Sequence, residues 1–217
     1  MSAKFPRICH LPWSPGGTND DKRLQSVDHF LGDHLVFTEK LDGSNLCMTR
    51  SDLFARSHSG PPAHPSFDLA KALHAQIRWS IPGWFSVFGE WCYAVHSIEY
   101  EALPAYFHVF GVRNDDSGEW SSWDHLGVMC KSWGLTRVPL LHQSHVSSAK
   151  ELQDLVERFG AEPSVYGGER EGVVIRVARH FRDDQFHLRC AKWVRADHVQ
   201  TDDHWKHQEI RKQGLKT

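Results

Sequence analysis

Several features that often fix a protein's class are missing from this chain. Its five cysteines, Cys9, Cys47, Cys92, Cys130 and Cys190, are odd in number, far apart and never in a CxxC pair. That excludes a disulfide framework and reads as reduced thiols in an intracellular, cytoplasmic protein. No run approaches the roughly 20 apolar residues that span a bilayer. The opening Met-Ser-Ala-Lys-Phe-Pro-Arg lacks the apolar core of a signal peptide. No membrane partner is expected. Nor is there an excess of one charge. The formal net charge is -2, so a surface for a polyanion must be a local patch rather than a global field. Histidine is plentiful at sixteen, yet no HExxH or paired CxxC spacing occurs, which argues against a structural zinc site.

The 217 residues suffice for one large domain or two small ones. With no internal repeat or low-complexity linker, one domain over 1–217 is expected. Residues 10–19 are rich in Pro, Gly and Trp and read as a loop. Asn19 or Asp20 is placed to cap a helix over 22–31. Extended segments follow at 34–41, 44–50 and 53–57. The spacing of Phe67, Leu69, Ala70, Leu73 and Ile77 predicts a helix over 66–79. Strands are expected at 85–94 and 106–113, a turn at 114–118, and helices at 123–133 and 149–159. Two last strands, 173–177 and 186–194, are joined by the polar stretch 178–185. Strands and helices do not alternate regularly, so a mixed α+β fold fits better than a doubly wound sheet. Trp79, Trp84, Trp120, Trp123 and Trp133 read as core or packing residues.

What the chain does have is Thr38-Glu39-Lys40-Leu41-Asp42-Gly43-Ser44-Asn45, a polar turn between two strand-like runs. A free lysine has a pKa near 10.4 and is inert at neutral pH. Held in a desolvated bend, or among other cations, it can become a nucleophile. Gly43 permits a tight turn and close approach of a ligand. Alone, such a turn is more often a hairpin with an exposed lysine. Four further elements follow in order. Arg56 ends the next strand with a guanidinium suited to phosphate. Phe88-Gly89-Glu90-Trp91 sets a carboxylate at the end of an apolar strand, and Glu171-Gly172-Val173-Val174 repeats the device. Hard divalent cations prefer such oxygen ligands. Lys192 is a cation inside an apolar strand, able to neutralise a phosphate as charge develops. Each piece has a bland reading as a solvated strand end or an edge glutamate; the ordered set does not.

This set resembles motifs I, Ia, III, IV and V of the covalent nucleotidyltransferase superfamily, the ATP-dependent DNA and RNA ligases and mRNA capping enzymes. Glu39 to Asn45 looks most like RNA ligases, especially the RNA ligase 2 type, because DNA ligases usually carry arginine rather than asparagine shortly after the glycine. The resemblance covers roughly 34–196. It implies two antiparallel sheets flanked by helices around an ATP cleft. It implies that Lys40 forms a lysyl-AMP phosphoramidate and that Lys192 contacts the α-phosphate. Glu39 would face the adenine edge and Phe110 would stack on the ring. Asn45 and Arg56 would lie near the sugar and the phosphate or RNA end, and Glu90 would bind ribose. Glu171 would organise Mg2+, with Mn2+ as a substitute. The implied substrate is RNA with 5′-phosphate and 3′-hydroxyl ends.

The sequence departs from the family in two places. Motif V often reads Lys-x-Lys, and here its first lysine is Cys190. The chain also stops about 25 residues after Lys192, too few for the accessory C-terminal domain many ligases use. A minimal ligase, or one that relies on a protein partner, is implied. Residues 205–212 read either as a short basic helix or as a solvated terminal segment. Two rival readings remain. One is a non-catalytic nucleotide or nucleic-acid binding domain of the same fold. The other is a DNA ligase or capping-type enzyme, which Ser44-Asn45 favours less.

Overall fold

A computed structural model describes residues 4–17, 21–58, 60–196 and 210–216. In chain order the strands and α-helices are β1 (Cys9–His10), β2 (His34–Lys40), β3 (Ser44–Met48), β4 (Leu53–Ala55), α1 (Asp68–Ile77), β5 (Phe85–Trp91), β6 (Phe107–Asn114), β7 (Glu119–Trp120), α2 (Trp123–Trp133), β8 (Thr136–Arg137), β9 (Leu140–His145), α3 (Ala149–Ala161), β10 (Gly172–Val177), β11 (Phe181–Arg182), α4 (Phe186–Arg189) and β12 (Cys190–Val194). They form two sheets. One has the order β1-β12-β10-β2-β9; the other runs β11-β7-β6-β5-β3-β4, with β8 added beside β6. Pairing is antiparallel apart from the two-residue ladders β1–β12 and β6–β8, which are parallel. The mixed α+β, two-sheet expectation therefore holds.

The helices follow from local chemistry. Ser148 caps α3 by accepting from the Glu151 amide, and the Glu151 carboxylate accepts from the Ser147 amide, a reciprocal arrangement that satisfies orphan donors. Leu152, Val156 and Phe159 then fall on one buried face. Ser122 caps α2, and Gly134, at φ 66°, closes it in the left-handed conformation that glycine tolerates. Phe88 and Trp120 of the second sheet share an apolar cluster with Phe37, Ile175 and Ala191 of the first. That shared cluster ties the sheets together and sets the walls of the space between them.

Several sequence expectations need correction. The helix expected over 22–31 is only a 3-10 turn at Asp28–Phe30; its proposed caps, Asn19 and Asp20, lie outside the described residues. The cause is pairing with β1: the His10 amide donates to the Lys22 carbonyl (2.7 Å), and the Leu24 amide donates to the His10 carbonyl (2.8 Å). Those bonds draw 22–24 into extended backbone. The strand expected over 186–194 begins as α4, because the Phe186 ring turns onto Trp120 and Phe181, and only β12 is extended. Trp120 and Trp123 are buried, but Trp79 and Trp84 are 69% and 51% exposed, so those two are not core. Of residues 205–212, 205–209 lie outside the described residues; beyond them the backbone is not helical but pairs with the 93–103 loop, the Val95 amide donating to the Arg211 carbonyl.

Candidate active site

The register of the first sheet explains how distant motifs meet. β10 lies between β2 and β12. Gly172 pairs with Lys40 on one side, and Val174 pairs with Lys192 on the other. Glu171, just before β10, therefore sits between two lysines about 150 residues apart in sequence. Lys40 Nζ lies 2.6 Å from Glu171 Oε1, with the lysine side chain 26% exposed and the glutamate 4%. In the second sheet Asn45 pairs with Glu90, and Arg56 follows β4. All eight candidate residues, Glu39, Lys40, Asn45, Arg56, Glu90, Phe110, Glu171 and Lys192, line one cleft of about 900 Å³.

The motif glycines serve close packing. A Cβ at Gly43 would stand 2.7 Å from the Trp91 carbonyl oxygen, and one at Gly172 would stand 2.0 Å from that of Trp193. Neither has positive φ. The left-handed turn that would demand glycine at 43 is thus absent, and strand proximity is the reason for it. Asp42 is the anchor of the turn. Its Oδ2 accepts from the Ser97 amide (2.8 Å), the Ser97 hydroxyl (2.7 Å) and the Ile98 amide (2.9 Å), and its own amide donates to the Tyr100 hydroxyl at 2.7 Å.

The charges divide sharply. Burial pulls the Lys40 pKa down, but the charges of Glu171 and Glu90 outweigh it and the net shift is upward. Lys40 in this state is therefore an ammonium ion, not a free amine. Burial, partly offset by Lys40, pushes Glu90 up to about 8. Burial and the charge of Lys40 lower Lys192. Burial would raise Asp42, yet the Ser97 hydrogen bonds and the Lys40 charge hold its carboxyl below the usual range. Glu39 is 1% exposed. Its Oε2 accepts from the Val165 amide at 3.0 Å and lies 3.5 Å from Arg170 Nε, while Oε1 is buried with no hydrogen-bond partner of good geometry among the described residues. Burial raises its pKa above the ordinary carboxylate range. Phe110 is half-buried, its ring 4.7 Å from that of Phe5 and tilted 57°.

Sequence reasoning missed some cleft residues. Asp21 lines it and lies 3.6 Å from Lys192, but its neighbours in sequence carry no recognisable pattern. Phe5 lines it from the N-terminal side, where nothing in a lone Phe-Pro signals a site. Among the described residues no three His, Cys, Asp or Glu side chains gather to hold a metal ion. The donor set still fits Mg2+, which binds through one or two carboxylates and takes its other ligands from substrate phosphates and water.

Two sheets closing on a cleft with a lysine at the end of one strand, a carboxylate against it and a second lysine one strand away define a nucleotidyltransferase fold. The chain belongs to the RNA ligase family, whose model matches residues 33–194. Solved structures agree in fold. An apo mutant of Naegleria gruberi RNA ligase is 15% identical, with 78% of this chain and 51% of that one covered at a TM-score of 0.56. Another mutant of that ligase, with ATP and Mn, is 14% identical and covers 89% and 60% at 0.56. An archaeal ATP-dependent RNA ligase is 18% identical and covers 88% and 48% at 0.57. This chain thus spans about half the length of the solved ligases it matches. No curated protein sequence matches it.

Proposed function

We propose that the protein is an ATP-dependent RNA ligase that seals 5′-phosphate and 3′-hydroxyl ends in cytoplasmic RNA repair. The observation that supports this most is the Lys40–Glu171 pair, 2.6 Å apart at a cleft that Lys192 also lines. Lys40 Nζ loses its proton and attacks the α-phosphorus of ATP. A P–N bond forms as the P–O bond to pyrophosphate breaks. An oxygen of the RNA 5′-phosphate next attacks that phosphorus; the P–N bond breaks and AMP passes to the RNA. The 3′-hydroxyl then attacks the 5′-phosphorus, and AMP leaves as the strand closes.

The chain's own residues divide the work. Glu171 holds the Lys40 proton at rest, so loosening that pair removes the charge that most keeps the amine protonated. Lys192 Nζ neutralises negative charge on the transferring phosphate. Glu90 meets the ribose, Phe110 the adenine, and Glu39 Oε1 offers an acceptor at the adenine edge. Asn45 and Arg56 hold the sugar and the phosphate or RNA end. Glu171 would hold Mg2+, with Mn2+ able to replace it. When bound, the ion supplies charge neutralisation along the phosphates. A protein partner or further domain would grip the RNA beyond the cleft.

Incubation with α-labelled ATP and Mg2+, followed by a denaturing gel, tests the reading. A labelled band near 25 kDa that disappears in Lys40→Ala is expected. Label retained by Lys40→Ala overturns the assignment. No label on the wild-type chain under varied metal and pH favours a non-catalytic binding domain instead. Competition by unlabelled GTP distinguishes a capping-type enzyme, and sealing of nicked substrates with DNA or RNA on each side distinguishes a DNA ligase.

A further inference from the structure

Lys192 has a counter-ion from a part of the chain that precedes the family match at 33–194. β1 runs parallel to β12 and sets His10 beside Lys192. The backbone after β1 loops back onto it through the hydrogen bonds of His10 with Lys22 and Leu24, and this delivers Asp21 to the cleft. Asp21 Oδ1 lies 3.6 Å from Lys192 Nζ. Its Oδ2 lies 3.5 Å from His10 Nε2.

The imidazole is fixed from behind. His10 is fully buried, its Nδ1 is 2.9 Å from Ser14 Oγ, and Ser14 Oγ accepts from the Val194 amide at 2.9 Å. Burial first, and the Lys192 charge next, push His10 down to about 4. A neutral imidazole carries one N–H. The Ser14 hydroxyl also lies 3.4 Å from the Val194 carbonyl oxygen, and His10 Nε2 faces Asp21 Oδ2 at ion-pair distance without hydrogen-bond geometry. Asp21 Oδ2 packs against the buried imidazole, which leaves Oδ1 toward Lys192.

The chemistry needs such a device. Two ammonium groups converge on one phosphate site, and a single carboxylate between them would leave one without a counter-ion. Here Glu171 serves Lys40 and Asp21 serves Lys192. An ammonium has three N–H donors, so a contact to Asp21 leaves two for phosphate oxygens.

We propose that Asp21, held between His10 and Lys192, is a positioning residue that aims Lys192 at the α-phosphate for adenylyl transfer. The inference rests on the ligase reading above. Its test uses Asp21→Asn and Asp21→Glu in the full chain. The Asn variant keeps the shape and removes the charge at a side chain 17% exposed, so its melting curve should match the wild type. The rate of lysyl-AMP formation at saturating ATP should fall about tenfold, a loss expected of a misplaced group, with KM for ATP within about twofold. Asp21→Glu restores the charge and should recover at least a third of the lost rate. Asn labelling within about twofold of wild type, a loss confined to KM, or equal losses in both variants overturns the inference while the ligase reading stands. Absence of label on the wild-type chain overturns both.

Discussion

Glu171→Gln removes a negative charge 2.6 Å from Lys40 Nζ and leaves the side-chain shape intact. Coulomb attraction at that distance is roughly 1.6 kcal/mol in bulk water and about 6 kcal/mol at an effective dielectric near 20. Glu171 is 4% and Lys40 26% exposed, so both gave up hydration on folding, and that cost cancels much of the attraction. The expected loss of stability is about 1–3 kcal/mol at pH 7. Its pH dependence follows from Lys40, whose pKa is raised in the fold because Glu171 and Glu90 outweigh burial. A raised lysine stabilises the fold fully below the unfolded value, near 10.4, and the contribution is lost as pH rises through the folded value. The gap between wild type and Glu171→Gln in urea denaturation should stay flat from about pH 7 to 9 and close above about pH 10.4. Removing the counter-charge also makes Lys40 easier to deprotonate. Labelling by ATP should nevertheless fall about 10–100-fold, because in the proposed mechanism the same carboxylate would organise the metal and phosphates. A variant as stable as wild type at pH 7, or a gap that widens in alkali, refutes the electrostatic account of the pair.

Asp42→Asn replaces a charged acceptor of three hydrogen bonds with a neutral one and should cost about 1–2 kcal/mol at pH 7. Because the Asp42 pKa is lowered in the fold, that contribution is present above the unfolded value, near 3.9, and lost as pH falls through the folded value. Thermal melts of the two proteins should therefore converge in strong acid. Gly172→Ala forces a Cβ to within 2.0 Å of the Trp193 carbonyl oxygen. It should cost about 1–3 kcal/mol in urea denaturation, and lysine labelling should fall further than stability alone explains, since Glu171 is the adjacent residue.

The sequence disclosed the residues that line the cleft better than the scaffolding that brings them together. Lys40, Glu90, Glu171 and Lys192 were legible because each sits in a short polar or Gly-flanked pattern beside an apolar strand. Their convergence was not legible, since it depends on β10 lying between β2 and β12, and the β2–β10 register is set by pairing across more than 100 residues. Helices α1, α2 and α3 were legible, α1 from the spacing of Phe67, Leu69, Ala70, Leu73 and Ile77. The helix expected over 22–31 failed because long-range bonds to His10 override local propensity. β9 went unrecognised because its Leu-Leu-His-Gln-Ser-His sequence lacks clear alternation; it is an edge strand with no fully buried residue. The exposed Trp79 was misjudged because size suggested core, whereas Arg50 and Arg78 lie over its ring at 5.3 and 5.1 Å on the surface.

Segments outside the family match explain why a turn as polar as Leu41-Asp42-Gly43-Ser44 keeps one shape. Leu41 anchors one end of it in the core at 3% exposure, and hydrogen bonds hold its polar residues. Asp42 is gripped by Ser97 and Ile98, and its amide by Tyr100. That loop is fixed in turn by Gln213, which is 3% exposed. Its side-chain oxygen accepts from the Tyr100 amide at 2.6 Å and its nitrogen donates to the Ile98 carbonyl at 2.7 Å. Buried groups joined this way are costly to leave half-satisfied. The C-terminal residues thus brace the turn that carries Lys40, as the N-terminal Asp21 and His10 brace Lys192. Each lysine is secured by a stretch of chain remote from it in sequence, and neither brace touches Lys40 Nζ in any described contact.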